Sequence, residues 1–334
     1  MVSVFFYRYV NRAGALEEFY PDADIFLRGY AENAVAEVAK GHRNVKGVHL
    51  AGTVDQCAHA MLDLTQSPSP YLDGTLDLQP FLRWETRRGC AFACSFCQHR
   101  APGAASAHPR TVDENRVQRE IELFRTSGQV KDIAVLDPTF NTDTLWATFV
   151  LSQFHGFDGK LSLQIRPERL SSRFLDAVEE LQAAGPTAVT LECGVQTFQT
   201  DSLRVIDRVK GADPAKVVAR VQRNLRLVQD RAIAQRVSLI FGLPFQTLGQ
   251  FKDDVGWCQR NLSSAQIDAF PLMLLRGTPL YEQKAELGLV EQPSVTHPLL
   301  SDIQRFIPHV VETPHMHRRD WDAMASLALD CRSR

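Results

Sequence analysis

The sequence predicts an α/β fold of parallel strands, each followed by a helix. Three observations predict it. From residue 83 onward, short apolar runs alternate with amphipathic stretches six times. The apolar runs are continuous rather than alternating, as expected of parallel strands covered on both faces. Polar and glycine residues gather just after these runs, where barrels and doubly wound sheets both keep their functional groups. Repeated strand–helix units leave both architectures open.

The units follow in order. "RWETRRG" leads into three cysteines, then a loop rich in Ala, Pro and Gly at 101–109 and the polar helix "VDENRVQREIELFRTSG". "KDIAVLD" at 131–137 precedes a helix from about Thr142. "LSLQIR" at 161–166 precedes "SSRFLDAVEELQAAG", which a serine opens and Gly185 closes. "AVTLECGVQ" at 188–196 precedes a helical pair reaching about residue 230. "RVSLIFGLP" at 236–244 precedes "TLGQFKDDVGWCQRNL", and "QIDAFPLMLL" at 266–275 precedes the helix "PLYEQKAELG". Residues 1–66 read as a small α/β element, with a strand, glycine turn and helix in "DADIFLRGYAENAVAEVAKG" and a further strand in "VKGVHLAG". Residues 67–82, rich in proline, read as a linker.

Composition narrows the function classes. The 334 residues are 44% apolar and 23% charged, with a formal net charge of −2. Such a chain buries a large core and exerts no general pull on nucleic acid. The opening "MVSVFFYRYV" is too short and too interrupted for a signal peptide, and no stretch reads as a membrane span. The expectation is therefore a cytoplasmic protein with reduced thiols, in which clustered cysteines mean metal or catalysis.

That cluster lies in "RWETRRGCAFACSFCQHR", residues 83–100. Cys90, Cys94 and Cys97 form a C-x3-C-x2-C pattern at the end of the first strand. Soft thiolates suit iron–sulfur clusters or zinc. Three thiolates on one loop wrap one side of a [4Fe–4S] cube and leave one iron open. Zinc is the alternative, with His99 or a distant side chain as the fourth ligand.

The stretch resembles the signature of the radical S-adenosylmethionine (SAM) superfamily, with Cys90, Cys94 and Cys97 as the three ligands and Phe96 as the aromatic before the third. The resemblance extends over about residues 83–290. It implies a partial (β/α)6 TIM-like barrel, a [4Fe–4S] cluster, and SAM chelated by the open iron. It also implies reductive cleavage to a 5′-deoxyadenosyl radical that abstracts hydrogen from a small-molecule or peptide substrate, and a flavodoxin- or ferredoxin-type reductant. "LDPTFN" at 136–141 stands where relatives carry a Gly-Gly-Glu-like segment for the methionine amine; Asp137, Thr139 and Asn141 are the substitutes here. In "LECGVQTF", Glu192 and Gln196 are placed to reach methionine or ribose. Arg166, at the same rim, is a cofactor-binding candidate or the ion-pair partner of Glu192. In "LIFGLPFQT", Gly242, with Pro244 beyond it, lets backbone approach the adenosyl group. In "FPLMLLRGTPLY", the backbone around Leu272 meets adenine.

"SPYLDG", "DPTFN" and "IRPE" resemble most closely the B12-type branch, which carries an N-terminal cobalamin-binding domain. The region before "SPYLDG" is short for that domain, and it lacks Asp-x-His-x-x-Gly, the usual cobalamin-ligating motif. A naturally reduced domain, a chain start that omits it, or a partner chain that supplies it would each account for this. Cobalamin therefore stands as possible but unsupported by a ligating motif. A cobalamin-dependent methyltransferase is the first alternative function, and a non-catalytic zinc or iron–sulfur carrier the second. Cys57, Cys193, Cys258 and Cys331 are too scattered for an auxiliary cluster; Cys193 and Cys258 read as core, and Cys331 as exposed. Residues 291–334, with His309, Glu312, His315, His317 and Trp321, read as a cap that shapes the substrate pocket.

Overall fold

The computed structural model describes residues 4–7 (backbone only), 13–99, 110–293, 295, 297–300 and 307–332. The predicted loop at 101–109 lies outside the described residues.

The chain begins with a three-stranded sheet. β1 (Val4–Tyr7) pairs parallel with β2 (Ile25–Arg28), which pairs antiparallel with β3 (Val48–Leu50). Two helices accompany it, the short α1 (Ala15–Phe19) and α2 (Glu32–Ala39). Ile25 and Leu27 pack with Ala34 and Val38 of α2, while Phe26 faces Ala15 and Leu16 of α1. The opening apolar run thus supplies a strand that its composition alone did not announce.

The barrel follows. β4 (Phe81–Trp84) leads through a two-stranded ribbon, β5 (Arg87–Arg88) and β6 (Arg110–Thr111), to α3 (Glu114–Ser127). Then come β7 (Asp132–Val135), α4 (Thr144–Gln153), β8 (Lys160–Ile165), α5 (Ser172–Ala183) and β9 (Ala188–Gln196). A helical pair follows, α6 (Thr200–Val205) and α7 (Pro214–Asp230), then β10 (Ala234–Phe241), α8 (Leu248–Asn261) and β11 (Gln266–Pro271). The six strands pair in parallel and in chain order, from β4 through β7, β8, β9 and β10 to β11. A doubly wound sheet would reverse direction partway. Unbroken order makes this a partial barrel.

Caps fix where the helices start. Asp113, Asp143, Ser171, Asp213 and Thr247 each accept backbone N–H bonds at a helix start, and Thr247 and Gln250 complete a capping box. The core lies between sheet and helices. Trp84 packs edge-on to Phe124 and Phe154 and donates to buried Glu120, which Arg116 neutralises.

Four expectations need correction. The strands are buried on one face only: along β9, Val189, Leu191, Cys193 and Val195 are buried, while Thr190, Glu192, Gly194 and Gln196 are half-exposed. The helix layer covers the outer face, and the inner face lines an open lumen of small and polar groups. β4 begins at Phe81, inside the segment read as linker. The helix expected at 279–288 is a single turn, α9 (Pro279–Glu282), followed by turns. The C-terminal region, finally, is more than a cap. β12 (Val290–Gln292) pairs antiparallel with β13 (His309–Glu312), but α10 (Arg318–Arg332) packs along β11 and against α8, in the outer helix layer. Trp321 of α10 is 2% exposed against Phe241, so it is core and not pocket. Cys331 is likewise buried.

Candidate functional site

The cysteine loop leaves the C-terminal end of β4. Its root is held by Asp137 at the end of β7, which is fully buried. The Asp137 Oδ1 accepts from Thr86 N at 2.7 Å and Arg87 N at 2.9 Å, and Oδ2 accepts from the Thr86 hydroxyl at 2.5 Å. Trp146 donates to that same hydroxyl. Burial pushes the Asp137 carboxyl up to about 6. Beyond the root the loop is sewn to other barrel loops. Ser95 donates its N–H to Ile206 O and its hydroxyl to Val205 O, and it accepts from Leu280 N. Lys210 donates to Ala91 O.

Each thiol has a polar neighbour. Cys90 Sγ lies 3.6 Å from the Thr139 hydroxyl. Cys94 Sγ accepts from Arg166 at 3.6 Å and Arg208 at 4.0 Å. Cys97 Sγ accepts from His99 N at 3.3 Å. Burial pushes the Cys97 thiol up to about 11, so metal binding there must displace a proton.

Two buried guanidiniums share one carboxylate behind Cys94. Arg166 donates Nε to Glu168 Oε1 at 2.6 Å and Nη2 to Arg208 O at 2.8 Å, and it stacks 3.6 Å over the Phe92 ring. Burial alone would raise the Glu168 carboxyl, but Arg208 and Arg166 hold it below its ordinary value. Its Oε2 is buried without a hydrogen-bond partner, 3.9 Å from Arg208.

The sequence candidates divide accordingly. Cys90, Cys94, Cys97, Thr139 and Arg166 converge. Phe96 is half-buried against a second apolar cluster that includes Leu203, Ile206 and Leu280, which anchors the loop. Asp137 and Asn141 are engaged by the protein itself: Asp137 holds the loop root, and Asn141 exchanges two hydrogen bonds with the Arg166 backbone, at 2.9 and 3.0 Å. Glu192 does not pair with Arg166. It lies deeper in the lumen, 3.5 Å from Arg236, which also pairs with Asp268. Gln196 ends β9 at φ 74°, where the pairing with β10 shifts register. Gly242 has φ 83°, and a Cβ there would lie 3.3 Å from Val310 O of β13. The Pro244 carbonyl accepts from Ser202. The Leu272 backbone is engaged on both sides, donating to Phe241 O and accepting from Val310 N.

In the C-terminal region, the His309 ring is fully buried beside the Ile307 backbone, and burial holds its pKa below the ordinary value. His315 packs 4.9 Å from the Phe245 ring, the His317 backbone N–H donates to Asp320 at the start of α10, and Glu312 closes β13. Arg208, Glu168, Phe92 and Lys210 escaped the sequence reading. The one signal was "IRPE", which places Glu168 two residues after Arg166.

Comparison with known proteins decides the family. The model of the radical SAM superfamily matches residues 84–258, more than half of the chain. The chain belongs to that superfamily. Among curated relatives, a cobalamin-dependent radical SAM methyltransferase, TokK of Streptomyces tokunonensis, is 28% identical over 93% of this chain and 49% of its own length. A 2-(S-pantetheinyl)-carbapenam-3-carboxylate methyltransferase of Streptantibioticus cattleyicolor is 25% identical with the same coverage. The chain thus spans about half the length of the curated relatives it matches. Among solved structures, the radical SAM methyltransferase TsrM of Kitasatospora setae superposes with a TM-score of 0.67 at 16% identity, covering 95% of this chain and 68% of that one. The cobalamin-dependent radical SAM enzyme OxsB gives 0.61 at 16%, covering 93% and 51%. These structures share the fold.

A radical SAM protein takes a [4Fe–4S] cluster and SAM, and the donors here fit the cluster. Three soft thiols share one loop, and each has a hydrogen-bonding group beside its sulfur, as cluster thiolates require. Among the described residues, no three His, Cys, Asp or Glu side chains are arranged to hold a single metal ion. In a cube each of the three thiolates would bind a different iron. No described helix is long and apolar enough to cross a membrane.

Proposed function

We infer that this protein is a radical SAM methyltransferase that works with cobalamin and modifies a small-molecule or peptide substrate. The observation that carries the reading is a cleft of about 640 Å³ between the N-terminal element and the barrel rim, beside the cysteine loop. Ala31 and Val35 line it from one side, Leu136 and Pro138 from the other, and Arg88 and His99 from the loop. Leu136 is 41% exposed there. Apolar walls with a few charged groups suit a broad ring bearing polar arms. The names of the matched relatives favour methyl transfer over a reaction that ends at hydrogen abstraction.

When reduced, the cluster supplies the electron that cleaves SAM, and cobalamin supplies a metal that accepts and hands on a methyl group. The chain's own residues do the rest. Arg166, Arg208 and the His99 N–H would donate to the thiolates of Cys94 and Cys97, and the Thr139 hydroxyl lies beside Cys90. Glu168 keeps two cations in place beside Cys94. The half-exposed lumen, with Ser162, Thr190 and Gly194, leaves room for substrate. Bound SAM would supply a 5′-deoxyadenosyl radical able to take hydrogen from a substrate carbon, and a flavodoxin- or ferredoxin-type protein would supply the electron.

The test is anaerobic reconstitution with iron and sulfide, then SAM and a strong reductant, with and without hydroxocobalamin. Chromatography reads the nucleosides. Cobalamin-dependent S-adenosylhomocysteine alongside 5′-deoxyadenosine is expected. 5′-Deoxyadenosine alone, indifferent to cobalamin, returns the reading to hydrogen abstraction without methyl transfer. A loaded cluster that yields neither product points to a carrier.

A further inference from the structure

We propose that the N-terminal α/β element braces the iron–sulfur loop at both ends, through two aromatic–arginine latches, and thereby governs how firmly the cluster is held. The first latch precedes the cysteines. Arg88, two residues before Cys90, pairs with Glu32 of α2 and stacks 5.2 Å from the Tyr30 ring. Arg110, its partner across the β5–β6 ribbon, stacks on the same ring at 5.6 Å. Tyr30 therefore holds both strands of the ribbon that closes the base of the loop. Its position is fixed in turn by Gly29, at φ 84°, where a Cβ would lie 2.4 Å from Ala60 O.

The second latch follows the cysteines. Gln98, the residue after Cys97, donates to Arg276 O at 3.3 Å. The Arg276 guanidinium lies 5.5 Å from the Phe19 ring and 5.3 Å from Tyr20, and it donates to Phe19 O. Phe19 also meets Tyr281 edge-on at 5.6 Å. Arg276 follows β11 and Arg88 follows β4, the last and first strands of the barrel. These two strands are not paired with each other, so the ladder does not close between them. The N-terminal element grips both margins of that opening, and the span from Cys90 to Cys97 lies between the grips.

A loop fixed at both ends pre-organises its three thiolates, so cluster release must first break a latch. Each cation–π latch is of a strength that changes a rate about fivefold. The brace needs neither cobalamin nor methyl transfer, so its test runs without either.

Full-length protein carrying Tyr30→Leu or Arg276→Leu is compared with wild type and with Glu37→Gln, which alters an exposed pair on α2 away from the loop. Two quantities are read: the rate of iron loss to a chelator after reconstitution, and the iodoacetamide alkylation rate of Cys90, Cys94 and Cys97 in the apo-protein, by peptide mass spectrometry. Each latch variant should lose iron about fivefold faster and alkylate faster, with Glu37→Gln at the wild-type rate. Tyr30→Phe, which keeps the ring, should also match wild type. Wild-type iron loss and alkylation in both latch variants would overturn the proposal. So would Tyr30→Phe behaving like Tyr30→Leu, because stacking would then not be the cause. If a Leu variant fails to fold by circular dichroism, Glu32→Gln substitutes for it in the first latch and Phe19→Leu in the second, with the same criteria.

Discussion

Asp137 offers a graded test of how the site is built. The Asp137→Ala change leaves the Thr86 and Arg87 N–H groups without acceptors in the interior. At about 1–3 kcal/mol for each of the two stranded donors, the loss is about 2–6 kcal/mol. Asp137→Asn is different, because both backbone donors converge on Oδ1, which asparagine retains. The asparagine amide then faces the Thr86 hydroxyl, which can accept. The pH dependence sharpens the contrast. The folded-state pKa of Asp137 is raised by burial to about 6, above its unfolded value near 3.8. A raised carboxylate contributes its full stability below the unfolded pKa and loses it as pH rises through the folded one. Wild type should therefore lose about 2 kcal/mol relative to Asp137→Asn between pH ~4 and pH ~7. Asp254, also raised to about 6, has the same sign but is common to both proteins and cancels in the difference. The assay is urea unfolding of the apo-proteins across that range, followed by tryptophan fluorescence, with iron loading measured alongside. Asn should match or exceed wild type near neutrality and load iron normally, while Ala unfolds early and loads poorly. An Asn variant as unstable as Ala, or a pH-independent difference between wild type and Asn, would refute the reasoning.

Replacing Cys90, Cys94 or Cys97 with Ala should abolish cluster retention and SAM cleavage together, while Cys193→Ala and Cys258→Ala keep both; iron and sulfide content with nucleoside analysis is the check. Arg166→Ala strips the nearer cation from buried Glu168 and should cost about 3–5 kcal/mol; Arg166→Lys should fold better, yet shift the cluster's midpoint potential in redox titration because Cys94 loses a donor of fixed geometry. Gly242→Ala should cost about 1–2 kcal/mol from its left-handed backbone alone, and more once Val310 must shift, read as a lower unfolding midpoint without loss of iron.

Much of the fold was legible because strand–helix alternation is a local signal. β9 runs over the residues marked out by "AVTLECGVQ", and capping residues such as Ser171 and Thr247 announce helix starts through their own chemistry. The cysteine triad was legible for the same reason, since its spacing lies within one loop. What failed was orientation. Arg166 follows the end of β8 while Glu192 lies in the middle of β9, and that difference in depth gave Glu192 to Arg236 and Arg166 to Glu168. Asp137 and Asn141 looked like ligand groups because they are polar and near the rim. Only the fold shows that neighbouring backbone already satisfies them.

The sequence by itself determined the succession of strand–helix units, the cysteine spacing and the family resemblance, because each depends on residue types at short separation along the chain. The tertiary structure decided the rest. It set Arg166, Arg208 and Glu168 around Cys94 from loops up to 114 residues apart, placed α10 in the barrel wall, and clasped the N-terminal element to both ends of the cysteine loop. Those contacts join segments that are distant in the chain, and no local pattern encodes which partner a buried charge or an exposed ring will meet.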